Sequence, residues 1–179
     1  MKTAILDRDG VINYDSKDFV KSPDEWIAIP GSLEAIARLN HAGWRVVVAT
    51  NQSGLARGLF NMDTLNAMHL KLRQELAAVG GHVDAFFICP HGPDDSCTCR
   101  KPLPGLFTEL IQRYDLSPQH CFSVGDSLRD LQAAAAVGCQ TALVLTGNGQ
   151  NTQQHPLPSG TTVHQNLAET VNYWLSHYA

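Results

Sequence analysis

Two aspartates two positions apart, in the run Asp7-Arg8-Asp9-Gly10-Val11, are the residues of this chain best suited to chemistry. One carboxylate of such a pair can attack an electrophilic centre while the other exchanges a proton. A carboxylate nucleophile divides one hard hydrolysis into two easier steps. Gly10 supplies a permissive backbone that lets both side chains turn toward one pocket. Taken alone, Asp-x-Asp-Gly also reads as a helix-capping or turn pair of aspartates.

Three further segments carry complementary chemistry. Thr50-Asn51-Gln52-Ser53-Gly54 offers a hydroxyl and a row of backbone N–H groups, which suit phosphate oxygens; a polar turn with a helix cap reads the same way. Arg100-Lys101-Pro102 offers an ammonium point charge and a bidentate fork for a second anion, or is a solvated basic pair. Gly125-Asp126-Ser127-Leu128-Arg129-Asp130 places one carboxylate where a hard cation could be completed and a second one helical turn further on. Asp130 is also well placed as a helix-capping acid.

A fifth segment is of another kind. Cys89-Pro90-His91-Gly92-Pro93-Asp94-Asp95-Ser96-Cys97-Thr98-Cys99 reads C-x-H-x₅-C-x-C. Four soft or borderline ligands in a short loop suit tetrahedral Zn²⁺ with no open position, which is a structural site. Buried free thiols or a Cys97–Cys99 disulfide are the alternatives, and the Gly, Pro and Asp around them fit both poorly. Cys99 directly precedes Arg100-Lys101, so zinc would fix the loop that delivers those cations. Cys121 and Cys139 read as core residues.

These segments have to be held together by elements that alternate along the chain. Thr3–Leu6, Arg45–Ala49, Ala85–Ile88, Cys121–Val124 and Thr141–Leu145 are short apolar runs, the second of them β-branched. Helical spacing of apolar residues marks Ser32–Ala42, Asp63–Val79, Gly105–Tyr114, Leu128–Val137 and Leu167–Tyr178. Residues 147–160, rich in Gly, Asn, Gln and Pro, read as a long surface loop. Apolar strands separated by helices imply a parallel sheet covered on both faces, in one α/β domain over residues 1–179. Ligands bind such sheets outside the carboxyl ends of the strands, where the chemical segments fall.

Bulk properties exclude other classes. The net charge is −4 and no Lys/Arg run occurs, which argues against a nucleic-acid partner. No window reaches the roughly 18 apolar residues of a membrane span. The N-terminus lacks the pattern of a secretory signal. An odd count of 5 cysteines, clustered with a histidine, points to metal in a reducing cytoplasm.

Asp7-x-Asp9-Gly10, Thr50-Asn51, Lys101-Pro102 and Gly125-Asp126-x-x-x-Asp130 together closely resemble the haloacid-dehalogenase-type phosphatases over nearly the whole chain. The resemblance implies a five-stranded Rossmann-like sheet of order 5-4-1-2-3 without a large cap domain. It implies that Asp7 is the nucleophile and that Asp9 is the general acid and then base. Mg²⁺ would be held by Asp7, the Asp9 backbone carbonyl and Asp126. Thr50 and Lys101 would hold phosphoryl oxygens, and Asp130 would orient Lys101 or a metal-bound water.

The zinc loop is shared by two subfamilies, heptose-1,7-bisphosphate 7-phosphatases and histidinol-phosphate phosphatases. The run from Thr50 to Phe60 resembles the heptose pattern TNQSG-x-ARG-x-F, whereas the short His91–Cys97 gap is common in the histidinol enzymes. The first match lies beside the phosphate and outweighs the second. A monomeric enzyme with a small-molecule sugar bisphosphate as its partner is the expectation. Arg57 and Arg100 are candidates for the second phosphate, with Lys17 and Lys21 nearby in sequence. Asn51, Gln52, Ser53 and Ser127, and by resemblance Asp15, Ser16, Lys17 and Asp18, complete the expected substrate contacts.

Overall fold

A computed structural model describes residues 1–178. Six parallel strands form one sheet: β1 (Thr3–Leu6), β2 (Arg45–Asn51), β3 (Ala85–Cys89), β4 (Cys121–Gly125), β5 (Gln140–Val144) and β6 (Thr162–His164), in the order β3-β2-β1-β4-β5-β6. The helices are α1 (Ser32–His41), α2 (Met62–Ala78), α3 (Gly105–Tyr114), α4 (Leu128–Ala136), α5 (Gly149–Thr152) and α6 (Leu167–His177).

The period of two along the strands divides the core. Ala4, Leu6, Val46 and Val48 face one apolar layer with Leu65, Met68, Leu72 and Leu76 of α2 and Val171 and Trp174 of α6. Ile5, Val47 and Ala49 face the other, with Leu106, Phe107 and Leu110 of α3 and Ala133 and Ala134 of α4. Each fully buried large apolar side chain contributes roughly 1.5–3 kcal/mol. On the first face Trp44 stacks on Trp174 with ring centroids 5.9 Å apart, beside Phe122. Cys121 and Cys139 are buried in the second layer, as expected of core residues.

Local chemistry sets the helix starts. The Asn61 side chain accepts from Thr64 N–H to begin α2, and Asn166 does the same for Glu169 in α6. Ser127 and Asp130 form a capping box that starts α4 directly after β4.

The expected strand order 5-4-1-2-3 holds for β1 to β5, but a sixth strand is added at the β5 edge. Thr162–His164 is only 3 residues long and has no apolar run, so its pairing with the β5 edge had no sequence signal. The segment 147–160 is also more than loop, since it contains the short helix α5. Among the described residues, no helix is long and apolar enough to cross a membrane.

Candidate active site

The carboxyl ends of β1, β2 and β4 and the loop after β3 converge on one cleft of about 240 Å³. Asp7 leaves β1, its N–H still paired to the Val124 carbonyl at 3.0 Å. Lys101 reaches across the sheet edge to meet it. This lysine is only 2 % exposed, and its Nζ donates to Asp7 Oδ1 at 3.0 Å, to the Ala49 carbonyl at 2.8 Å and to Asp130 Oδ1 at 2.8 Å. Burial opposes its charge, but the carboxylates of Asp130 and Asp7 overcome that and raise its pKa.

Asp130 is committed on both oxygens: Oδ1 to Lys101, Oδ2 to the Ser127 N–H and hydroxyl at 3.1 and 2.8 Å. Burial raises the Asp130 pKa but Lys101 outweighs it, so the carboxyl is held below the usual range. Asp7 and Asp126 are not balanced in this way. Burial and Asp130 push Asp7 up to about 7. Burial and Asp7 push Asp126 up to about 8. Carboxylate oxygens of Asp7, Asp126 and Asp130 lie within 4.8 Å of one another. This oxygen-only cluster carries more negative charge than Lys101 neutralises, and such a donor set fits a hard divalent cation.

Close backbone approach makes room for these acids. A Cβ on Gly10, whose φ is +84°, would stand 2.2 Å from Asp126 Oδ2, and one on Gly147 would meet the same oxygen at 2.2 Å. A Cβ on Gly125 would lie 2.3 Å from the Asp130 Cβ. The segment after β5 closes this side: Asn148 N–H donates to Asp126 Oδ2 at 2.8 Å and Thr152 Oγ1 to the Asp126 carbonyl at 2.8 Å. In sequence that segment reads as a long surface loop. Its one signal is Thr146-Gly147-Asn148-Gly149 placed at a strand's carboxyl end.

Asp9 is in different surroundings. Its Oδ1 accepts from Arg8 and Asn13, and its Oδ2 from Gln52 Nε2 at 2.9 Å. Burial works against the charge, but the Arg8 guanidinium wins and holds the carboxyl below the usual range. Gln52 Nε2 also donates to Thr50 Oγ1 at 2.9 Å, so the expected phosphate hydroxyl and Asp9 share one amide. Thr50 lies buried near the end of β2 and is not among the residues that line the cleft. Asn51 ties β2 to the Lys101 loop through paired bonds of 3.1 Å, Nδ2 to the Lys101 carbonyl and Lys101 N–H to Oδ1.

Asp15, Ser16, Asn51, Gln52, Ser53, Arg57 and Arg100 line the cleft, and so does Arg129, which sequence reasoning passed over as a spacer between two acids. Arg57 lies over the Phe19 ring at 5.4 Å, and Phe19 has a positive φ of 65°. Lys17 and Asp18 are not brought to the cleft lining. Lys21 is tied into its own loop, to Glu25 at 3.2 Å and the Asp18 carbonyl at 3.1 Å. Ser127 points instead to Asp130.

Beyond Arg100 the four candidate soft ligands come together. Cys89, His91, Cys97 and Cys99 offer ligand atoms within 4.8 Å of one another. Cys89 Sγ lies 3.6 Å from His91 Nδ1, 4.0 Å from Cys97 Sγ and 2.8 Å from Cys99 Sγ. Ligands of a tetrahedral zinc stand about 3.5–3.8 Å apart, close to the His91 and Cys97 separations and longer than the Cys89–Cys99 one. All of these cysteines are free, which excludes the Cys97–Cys99 disulfide. Arg100 Nη1 donates to the His91 carbonyl at 3.1 Å, joining this loop to the cleft.

A parallel doubly wound sheet with paired acids after its first strand, a buried lysine and an acid pair after its fourth defines a HAD-like hydrolase. The HAD-hydrolase-like family model matches residues 98–170. The D-glycero-beta-D-manno-heptose-1,7-bisphosphate 7-phosphatase of Bordetella bronchiseptica is 64 % identical over 169 residues, 94 % of each chain. The protein of that name from Pseudomonas aeruginosa is 55 % identical over 92 % of each. A crystal structure of D,D-heptose 1,7-bisphosphate phosphatase from B. bronchiseptica, complexed with magnesium and phosphate, superposes with a TM-score of 0.97 at 62 % identity, covering 98 % of this chain and 99 % of that one. The chain belongs to the D-glycero-beta-D-manno-heptose-1,7-bisphosphate 7-phosphatase family of HAD-like hydrolases.

Proposed function

We propose that the protein is a Mg²⁺-dependent phosphomonoesterase that removes the 7-phosphate of D-glycero-D-manno-heptose 1,7-bisphosphate through a phosphoryl-Asp7 intermediate. In the cell it would act in the cytoplasm as a monomer, on the route to nucleotide-activated heptose for the lipopolysaccharide core. The observation that carries this reading is the contact of Asp7 with buried Lys101 beside Asp126, in a chain 64 % identical to a relative of that name.

Asp7 attacks phosphorus, the bond to the sugar oxygen breaks, and Asp9 gives that oxygen a proton. Asp9 then takes a proton from the water that cleaves the acyl phosphate. Lys101 and Thr50 hold phosphoryl oxygens, and Asp130 fixes Lys101 by a 2.8 Å ion pair. Asp7, the Asp9 carbonyl and Asp126 would hold Mg²⁺, which supplies the positive charge that two anions need in order to approach. The excess negative charge of the carboxylate cluster supports that assignment.

Arg57, Arg100 and Arg129 rim the cleft and suit the second phosphate, while Asp15, Ser16 and the Asn51–Ser53 turn suit sugar hydroxyls. Cys89, His91, Cys97 and Cys99 would hold a structural Zn²⁺. The deciding experiment follows phosphate release with Mg²⁺ from heptose 1,7-bisphosphate and from histidinol phosphate, with ³¹P spectra of the products. The heptose should lose only its 7-phosphate, at a kcat/KM at least about 10²-fold above histidinol phosphate. Faster turnover of histidinol phosphate would reverse the assignment.

A further inference from the structure

Arg8 stands between the two carboxylates of the first motif, yet it is 1 % exposed. A buried guanidinium persists only where its donors are matched. Nε and Nη2 donate to Asp9 Oδ1 at 3.1 and 2.8 Å. Nη2 also reaches Gln52 Oε1 at 3.4 Å, and Nη1 lies 3.3 Å from Nε2 of His69 in α2. Arginine has donors only, so His69 Nε2 accepts, and the ring is neutral with its proton on Nδ1. Phe86 stacks on that ring with centroids 4.1 Å apart. Burial and the Arg8 charge hold the His69 pKa down at about 3, in agreement.

The consequence falls on the two oxygens of Asp9. Oδ1 takes both Arg8 bonds and a third from Asn13 Nδ2 at 2.9 Å. Each carboxylate oxygen has two lone-pair sites, so Oδ1 has none left for a proton. Oδ2 takes one bond, from Gln52.

We propose that Arg8 and His69 are positioning residues for proton transfer: they lock the Asp9 carboxylate through Oδ1 and thereby assign Oδ2 as the oxygen that carries the proton. This rests on the reading of Asp9 as the acid and base. As the P–O bond breaks, its electron pair stays on the leaving oxygen, which takes the proton from Oδ2. The resulting Asp9 anion keeps its Arg8 counter-charge. In the second half, Oδ2 takes a proton from the water whose oxygen bonds to phosphorus while the bond to Asp7 breaks.

A leaving-group comparison tests it. The measured quantity is kcat/KM, which reports the first phosphoryl transfer, for heptose 1,7-bisphosphate and for p-nitrophenyl phosphate. The sugar alkoxide needs a proton to leave, and nitrophenolate does not. His69→Leu should lower kcat/KM for the sugar about tenfold or more, and for the nitrophenyl ester by less than about twofold. His69→Gln, which restores an acceptor, should recover most of the loss, and Arg8→Lys should show the same asymmetry. Equal losses on both substrates, or none, overturn the proposal. Asp9→Asn separates the two levels. If it lacks the asymmetry, the reading of Asp9 itself falls; if it shows the asymmetry while the His69 and Arg8 variants do not, only the proposal falls.

Discussion

The Asp7 and Asp9 sides of one loop solve the problem of buried charge in opposite ways. Around Asp7, two further carboxylates share a single ammonium, and burial pushes Asp7 up to about 7 and Asp126 to about 8. Around Asp9, a guanidinium balances one carboxylate, whose pKa is held below the usual range in spite of burial. One side is left short of positive charge, as the proposed metal-dependent nucleophile requires. The other carries its own counter-ion in Arg8. The contrast teaches that two acids two residues apart can have different jobs because their partners, not their positions along the chain, differ.

The largest expected effect breaks the pair apart. Asp7→Asn should lower kcat at least about 10³-fold while thermal stability of the metal-free protein holds or rises, because one crowded carboxylate is gone. Asp9→Asn should also lose activity but melt earlier, costing about 2 kcal/mol, since Arg8 keeps its charge in the interior without an anion. Equal stability changes in the two variants would contradict the contrast.

Removal of the proposed structural zinc comes next. Arg100 bonds the His91 carbonyl, and Lys101 follows it in the chain. Stripping the metal with a thiol-compatible chelator, then restoring Mg²⁺, should cut kcat/KM about tenfold or more and lower the melting temperature. Full activity in a stripped, folded protein would dissociate the loop from catalysis.

Stability against pH sharpens the contrast further. Asp7 and Asp126 have folded pKa values raised to about 7 and about 8, above the carboxyl range of an unfolded chain. The folded metal-free protein therefore binds more protons there, and its stability falls as pH rises from about 4 to about 8. Asp9 and Asp130, with lowered values, contribute stability that is lost only as pH falls below about 4. Melting temperatures without Mg²⁺ should decline between pH 5 and 8, and saturating Mg²⁺ should flatten the decline. Arg57→Ala is the mildest change: KM for the bisphosphate should rise about three- to tenfold, with kcat within about twofold.

Much of this site was legible because strand ends deliver it. Asp7, Asp126 and Asp130 each follow an apolar run or belong to a capping pattern that sequence reveals, and Lys101 directly follows the Cys-x-Cys pair and Arg100. Arg8 and His69 were not legible. A basic residue between two acids looks solvated, and a histidine inside a helix's apolar stripe looks like packing. Their contact spans 61 residues and depends on how α2 lies against the sheet. The Asn148 contact to Asp126 was hidden for the same reason, since a backbone N–H carries no sequence signature. Strand β6 escaped because three edge residues bury too little apolar surface to show a period.

The central claim is that phosphoryl transfer passes through Asp7, in two displacements at phosphorus. Turnover of a heptose phosphate made chiral at phosphorus with oxygen isotopes and sulfur, with the configuration of the released thiophosphate determined in isotopic water, tests it directly. Two in-line displacements predict overall retention. Inversion would mean that water attacks the substrate in a single step, and would contradict the account.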